Sequence, residues 1–220
     1  MISNARSCSA WRLYVILDRA AAGSRDLAAL AAAAIRGGAD VLQLRDKSAS
    51  AAALLAEARR LVPLARKARV PLIINDRPDV ALAAYADGVH LGQDDLPVAE
   101  ARRILGADRL IGKSTHSLEQ AVAADQEAVD YLGFGPLFAT PTKPGYGSLG
   151  LEPLLEVTSR VRHPLVCIGG IDADRLETVL QGGAQRVAVV RAVCGAADPE
   201  AATRALKERL TARTASRPAV

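Results

Sequence analysis

Eight short β-rich runs alternate with helical patterns along 220 residues, and that alternation predicts an α/β chain wound into a single (β/α)8 TIM barrel. Two further observations agree. Half of the residues are hydrophobic but only 3% are aromatic, so the core is made of small and branched aliphatics, which suit helices packed closely on a buried parallel sheet. The segments "IRGGADVLQL" (35–44), "ILGADRLIGK" (104–113) and "LQGGAQRVAV" (180–189) also repeat one punctuation of helix, glycine, alanine, polar residue and strand. Glycine ends each helix because it tolerates the left-handed conformation. An open doubly wound sheet is the competing arrangement of the same units.

Taken in order, residues 1–11 read as a frayed tail without the continuous apolar core of a signal peptide. The barrel then spans 12–211. "LYVILD" (13–18) is the first strand, followed by the helical pattern "RDLAALAAAAIR" (25–36). "VLQLRD" (41–46) precedes the long helix "SAAALLAEARRLVPLARKA" (50–68). "LIIND" (72–76) and "GVHLG" (88–92) are strands three and four, with "LPVAEARRIL" (96–105) after them. "LIGKST" (110–115) leads into "SLEQAVAADQEA" (117–128) across a capping-box pattern at Ser117–Gln120. "YLGFGP" (131–136) opens a long Thr/Pro/Gly loop, "PLFATPTKPGYGSLG" (136–150), of a length often used as a lid. "LVCIGG" (165–170) ends in a Gly-Gly turn before a helix starting near Asp172, and "RVAVVR" (186–191) is the eighth strand. Residues 212–220, "ARTASRPAV", read as a second tail.

Composition narrows the function. No apolar run reaches the roughly 18 residues of a membrane span. Three scattered cysteines, Cys8, Cys167 and Cys194, make neither a disulfide scaffold nor a metal knuckle and fit a reducing, cytoplasmic compartment. A net charge of +4, from 28 bases and 24 acids, lacks the aromatic interleaving or long basic run of a nucleic-acid binder and fits an anionic small molecule. A homo-oligomer is compatible with all of this.

In a TIM barrel the chemistry gathers at the C-terminal ends of the strands. There the sequence puts Gln43, Arg45 and Lys47 after strand two, Asn75 and Asp76 after strand three, and Asp95 after strand four. Ser114 and His116 follow strand five, and Lys143 lies in the long loop. Neighbouring parallel strands lie about 4.8 Å apart, so the acids after strands three and four can face one site. Like charges that close need a cation between them or a proton on one. Two readings of Asp76 and Asp95 stand: caps of the following helices, or oxygen ligands for magnesium, which completes its shell with water and substrate phosphates. Arg45 and Lys47 alternate along an extended stretch and so share a side. Magnesium with Lys and Arg is a combination that holds a diphosphate and neutralises it as it leaves. The Gly-Gly turn at 169–170 offers a second anion site at the place where TIM barrels bind phosphate.

The set "QLRDK" (43–47), "NDR" (75–77), "GVHLGQDD" (88–95), "STHS" (114–117), "GFGPLFATPTK" (133–143) and "IGGI" (168–171) resembles thiamine phosphate synthases, in that family's order and over nearly the whole chain. The resemblance implies condensation of a hydroxymethylpyrimidine diphosphate with a thiazole phosphate, or its carboxylated form, to give thiamine phosphate and pyrophosphate. It assigns Gln43, Arg45, Lys47, Asn75, Ser114 and Lys143 to the pyrimidine diphosphate, with Arg45, Lys47 and Lys143 assisting departure. It assigns Asp76 and Asp95 to Mg²⁺. Thr140, Pro141, Thr142 and Gly170, with Val190 and Arg191, line the thiazole phosphate site by the same carry-over. Arg191 departs from the serine often found there, so its guanidinium either grips phosphate or turns outward. The implied mechanism is dissociative: pyrophosphate leaves with magnesium, the aminopyrimidine stabilises the cation, and the thiazole nitrogen attacks. Two rivals are a thiazole tautomerase of the same superfamily, using His116 as acid/base, and a non-catalytic phosphate-binding barrel.

Overall fold

The computed structural model describes residues 8–140 and 147–215. Its strands are β1 (Leu13–Asp18), β2 (Val41–Arg45), β3 (Leu72–Asn75), β4 (Gly88–Leu91), β5 (Leu110–Thr115), β6 (Tyr131–Phe134), β7 (Leu165–Ile168) and β8 (Val187–Val189). All pair in parallel with their chain neighbours, and β8 returns to β1 with Val187 opposite Leu13, so the sheet is a closed barrel and not an open doubly wound one. The helices are α1 (Arg19–Ala22), α2 (Leu27–Arg36), α3 (Ala51–Ala68), α4 (Pro78–Ala83), α5 (Val98–Leu105), α6 (Leu118–Ala124), α7 (Glu152–Arg160), α8 (Ala173–Gln181), α9 (Arg191–Cys194) and α10 (Pro199–Ala215). Among the described residues no helix is long and apolar enough to cross a membrane.

The period-two alternation of a strand sorts side chains into two cores. Leu13, Val15 and Leu17 of β1 and Leu42 and Leu44 of β2 face outward into the layer shared with the helices. Tyr14, Ile16, Val41, Ile73, Tyr131 and Val166 fill the barrel interior. Ala31, Ala34, Ala58 and Ala101 are wholly buried on the helix side, which is how an alanine-rich chain brings helices close to the sheet. Cys167, expected as a small apolar strand residue, is buried in the outer layer, and burial pushes its thiol up to about 12. The predicted glycine punctuation appears at Gly38, Gly106 and Gly183, all at positive φ. Helix α3 continues through Pro63 as the sequence pattern predicts.

Three boundaries differ from expectation. The tail predicted for 1–11 does not extend to its last residues: Cys8–Ala10 form a 3₁₀ turn, and Cys8 and Trp11 are buried against the barrel floor. Trp11 meets the Tyr131 ring edge-on, at 5.2 Å between centroids, an apolar gain that outweighs the entropy of ordering the segment. At the other end the helix runs to Ala215 where the tail was expected from 212. The eighth strand stops at Val189, because Val190 turns to cap α9 and Arg191 is already helical.

Candidate active site

The inward half of each strand's alternation continues upward into a cavity of about 220 Å³ at the C-terminal mouth. Gln43, Arg45, Asn75 and Ser114 line one side of it, as the sequence predicts. Thr140, Gly170, Val190 and Arg191 line the other. Arg191 is exposed at the rim. Pro141, Thr142 and Lys143 lie outside the described residues.

Beside the cavity, at the β2–β4 edge of the mouth, sits the charged cluster. Lys47 Nζ is 2.7 Å from Asp76 Oδ2. Asp76 has left β3 with φ +63°, a left-handed conformation that Asp tolerates better than most residues, and its N–H donates to the His90 carbonyl at 2.8 Å. Neither acid caps a helix. The residue capping α4 is Arg77 and that capping α5 is Pro97, both without a side-chain cap bond. Asp95 instead turns back to accept from the Gly92 N–H at 2.5 Å. Its carboxyl is raised above the usual carboxylate range, first by burial and then by Asp76 within hydrogen-bond reach. Among the described residues no group of three or more His, Cys, Asp or Glu could hold a metal. Two facing carboxylates are nevertheless the all-oxygen, partial donor set that suits magnesium, whose remaining positions go to water and phosphate.

Arg45 is not a loose surface base. It is paired with Asp18, which is 2% exposed, at the position that register sets directly opposite it on β1. Asp18 also caps α1 through the Ala21 N–H at 2.8 Å. This aspartate was legible in "LYVILD" by the same reasoning that singled out the acids after strands three and four, but only the closing of β1 onto β2 shows what it holds.

Across the mouth, Gly169 and Gly170 have φ +103° and +64°. A Cβ on Gly169 would stand 2.4 Å from Pro136 Cα, and one on Gly170 would stand 2.8 Å from Phe138 Cβ. The turn therefore requires glycine, and its backbone stays bare beside the cavity. The helix that the sequence starts near Asp172 is α8, and Asp172 caps it through the Arg175 N–H at 3.0 Å. Arg175 itself, missed in the sequence, lines the cavity, donates to the Gly170 carbonyl at 2.8 Å and lies over the Phe138 ring at 5.1 Å. It is exposed on the first turn of α8, so the charge pattern "DADR" reads as a solvated face, and only the fold brings it beside the cavity.

His116 lines the cavity with its Nδ1 held by the Gly135 carbonyl and its N–H donating to Gln120 Oε1 at 2.7 Å. Sequence reasoning also missed Tyr14 and Tyr131, the two buried phenols of the cavity floor, and Lys113, buried on β5 with its Nζ on the Gly92 carbonyl at 2.8 Å.

The chain matches the model of the thiamine monophosphate synthase family over residues 13–193. It is 52% identical over 195 residues to the thiamine-phosphate synthase of Roseiflexus sp. (strain RS-1), covering 88% of this chain and 83% of that one. It is 49% identical over 198 residues to the thiamine-phosphate synthase of Chloroflexus aurantiacus, covering 90% and 91%. Among solved structures, thiamine phosphate pyrophosphorylase from Pyrococcus furiosus superposes with a TM-score of 0.86 at 36% identity, over 95% of this chain and 98% of that one. With a family model spanning the barrel and relatives of this identity over most of its length, the chain belongs to the thiamine monophosphate synthase family.

Proposed function

We propose that the cavity joins 4-amino-2-methyl-5-(diphosphooxymethyl)pyrimidine to a thiazole phosphate, releasing pyrophosphate, with magnesium as the metal. The observation that carries the metal is the Asp76–Asp95 pair: two carboxylates in hydrogen-bond reach, neither capping a helix, with Asp95 raised by burial and then by Asp76. When bound, magnesium neutralises the diphosphate and improves it as a leaving group. Asp76 and Asp95 hold it, and Lys47, now paired with Asp76, is close enough to share the departing charge. Arg45, fixed by Asp18 and lining the cavity, need not be ordered on binding. Gln43, Asn75 and Ser114 orient the pyrimidine. By the resemblance, Lys143 is assigned a further positive charge toward the pyrophosphate, and Pro141 and Thr142 join Thr140 in contacting the thiazole phosphate. Gly170, Val190 and Arg191, with Arg175 added from the geometry, receive the thiazole phosphate. No proton need be moved for pyrophosphate to leave or for the thiazole nitrogen to attack, so the contribution is positioning plus electrostatics. Three free, buried cysteines fit a reducing, cytoplasmic setting.

The test is direct: purified protein, both substrates and Mg²⁺, with thiamine phosphate and pyrophosphate followed together. Product that forms only with Mg²⁺ supports the reading. Pyrimidine diphosphate left intact over many hours would sink it in favour of a non-catalytic barrel.

A further inference from the structure

The floor of the cavity carries a continuous run of hydrogen bonds contributed by five strands. Gln43 Nε2 donates to Tyr14 Oη at 2.8 Å, and Tyr14 Oη is 3.0 Å from Tyr131 Oη. Tyr131 Oη is 3.1 Å from His90 Nδ1, and His90 Nε2 is 2.8 Å from Ser114 Oγ. Gly112 makes this possible: a Cβ there would stand 2.2 Å from the Tyr131 ring and 2.5 Å from His90 Nδ1. Tyr14 and Tyr131 are 3% and 0% exposed, and burial drives both phenols upward, so each keeps its proton at neutral pH.

Each hydroxyl and each neutral imidazole has one proton to give, so the run has two self-consistent settings. In the first, which the Gln43 amide orientation selects, Tyr14 accepts from Gln43 and donates to Tyr131. Tyr131 donates to His90 Nδ1, and the His90 Nε2–H donates to Ser114 Oγ. That leaves the Gln43 carbonyl as an acceptor on the β2 wall and the Ser114 hydroxyl proton as a donor on the β5 wall. In the second setting every link reverses. Gln43 then turns its NH₂ to the cavity, and the Ser114 proton is consumed by His90.

We propose that Tyr14, Tyr131 and His90 are positioning residues that couple Gln43 to Ser114, so that an amine on the bound heterocycle, donating to Gln43 Oε1, sets Ser114 as the donor on the opposite wall. An oxo group in place of the amine loses in either setting: it faces a carbonyl at Gln43, or it reverses the run and loses the Ser114 donor. This rests on the reading of the cavity as the pyrimidine site.

The experiment is titration calorimetry of the 4-amino pyrimidine diphosphate and its 4-oxo counterpart, with Mg²⁺, on the unmodified protein, Tyr131→Phe and Tyr14→Phe. Each variant removes a different hydroxyl from the run, so failure of one to fold leaves the other. The unmodified protein favours the amine by about 100-fold, and each folded variant loses about tenfold of that preference or more, with thiazole phosphate affinity unchanged. Imidazole ¹⁵N spectra give a second reading, with His90 as the Nε2–H tautomer in the unmodified protein and as a mixture in Tyr131→Phe. An undiminished amine preference in a folded variant, or an Nδ1–H His90 in the unmodified protein bound to the amine, overturns the coupling. If neither compound binds the unmodified protein, the pyrimidine assignment itself falls.

Discussion

Asp95 is the residue whose surroundings argue most directly for a cation. Its carboxyl is raised by burial and by Asp76, and a raised carboxyl holds its proton more tightly folded than unfolded. The stability it contributes is present at low pH and is lost as pH rises through the unfolded and then the folded range. At neutral pH the metal-free protein therefore carries a repulsion that Asp95→Asn removes, while the amide oxygen still accepts from Gly92. We expect that variant, without metal, to melt higher by about 2 °C or more at pH 7. The advantage should shrink toward pH 4. A lower melting point at pH 7 would show that the pair is not repulsive. The same substitution, and Asp76→Asn, should each lower turnover by about 10²-fold or more with the fold intact, as steady-state pyrophosphate release will show. His116 makes the opposite case. Its ring is tied to the Gly135 carbonyl and its backbone to Gln120, which suits a residue that holds the end of β5 against the end of β6. His116→Ala should keep synthase turnover within about tenfold of normal, because no proton transfer is asked of it. A much larger loss in folded protein would favour the tautomerase chemistry. At this scale the sequence showed which residues reach the mouth, since strand periodicity decides that. It did not show Asp18 behind Arg45, because that pairing depends on β1 meeting β2 in register.

One scale up, the β4–α5 connection is an element held from outside the cavity. Lys113 is 7% exposed, points away from the barrel interior and donates to the Gly92 carbonyl, while Gln93 Nε2 donates to the Ser114 carbonyl at 2.6 Å. Gly92 in turn gives its N–H to Asp95. The loop that carries one proposed metal ligand is thus pinned to β5 at two points. Lys113→Met keeps the length of the side chain but removes the donor. We expect the Mg²⁺ concentration for half-maximal activity to rise about tenfold, with the thiazole phosphate KM unchanged and Lys113→Arg recovering most of the loss. An unaltered Mg²⁺ requirement in Lys113→Met would show that the loop holds itself. A lysine in the middle of "LIGKST" gives no sequence signal of this role. An outward strand position predicts an apolar side chain there, and only the carbonyl lying above it explains the charge. The element boundaries that were legible are those with local chemistry, such as Asp172 capping α8 and the glycines after α2, α5 and α8. One boundary that was not, the early end of the eighth strand, is set by α9, which packs against α1 and α10 at the mouth end of the barrel.

For the whole molecule, function and stability occupy opposite ends of the barrel. The mouth holds the charged residues and strained turns, and the bottom of the barrel, beneath the hydrogen-bonded tyrosines, is a plug of apolar groups. The closed eight-stranded sheet was legible because every strand–helix unit carries its own periodicity. The plug was not, because "CSAW" has no pattern longer than a turn and gains its place only from contacts across the barrel. Arg186 ties this segment down through the Ser9 carbonyl at 2.7 Å and the Cys8 carbonyl at 3.2 Å, and the Arg12 N–H is held by Asp40 at 2.8 Å. Trp11 stacks edge-on to Tyr14 and Tyr131 from below, on the side away from the cavity. Trp11→Ala removes that ring and leaves a void under both tyrosines, at a cost of about 3–5 kcal/mol. For a chain of this size that is a fall of about 10 °C in Tm. Because Trp11 takes no part in the hydrogen bonds that hold Tyr14 and Tyr131 to Gln43 and His90, kcat well below the new Tm should stay within about twofold of normal. Thermal melts and initial rates on the same preparation decide it. A variant that melts normally would mean the plug contributes little. One that melts low and also loses kcat at 20 °C would mean that the floor reaches the reacting groups through Tyr14 and Tyr131.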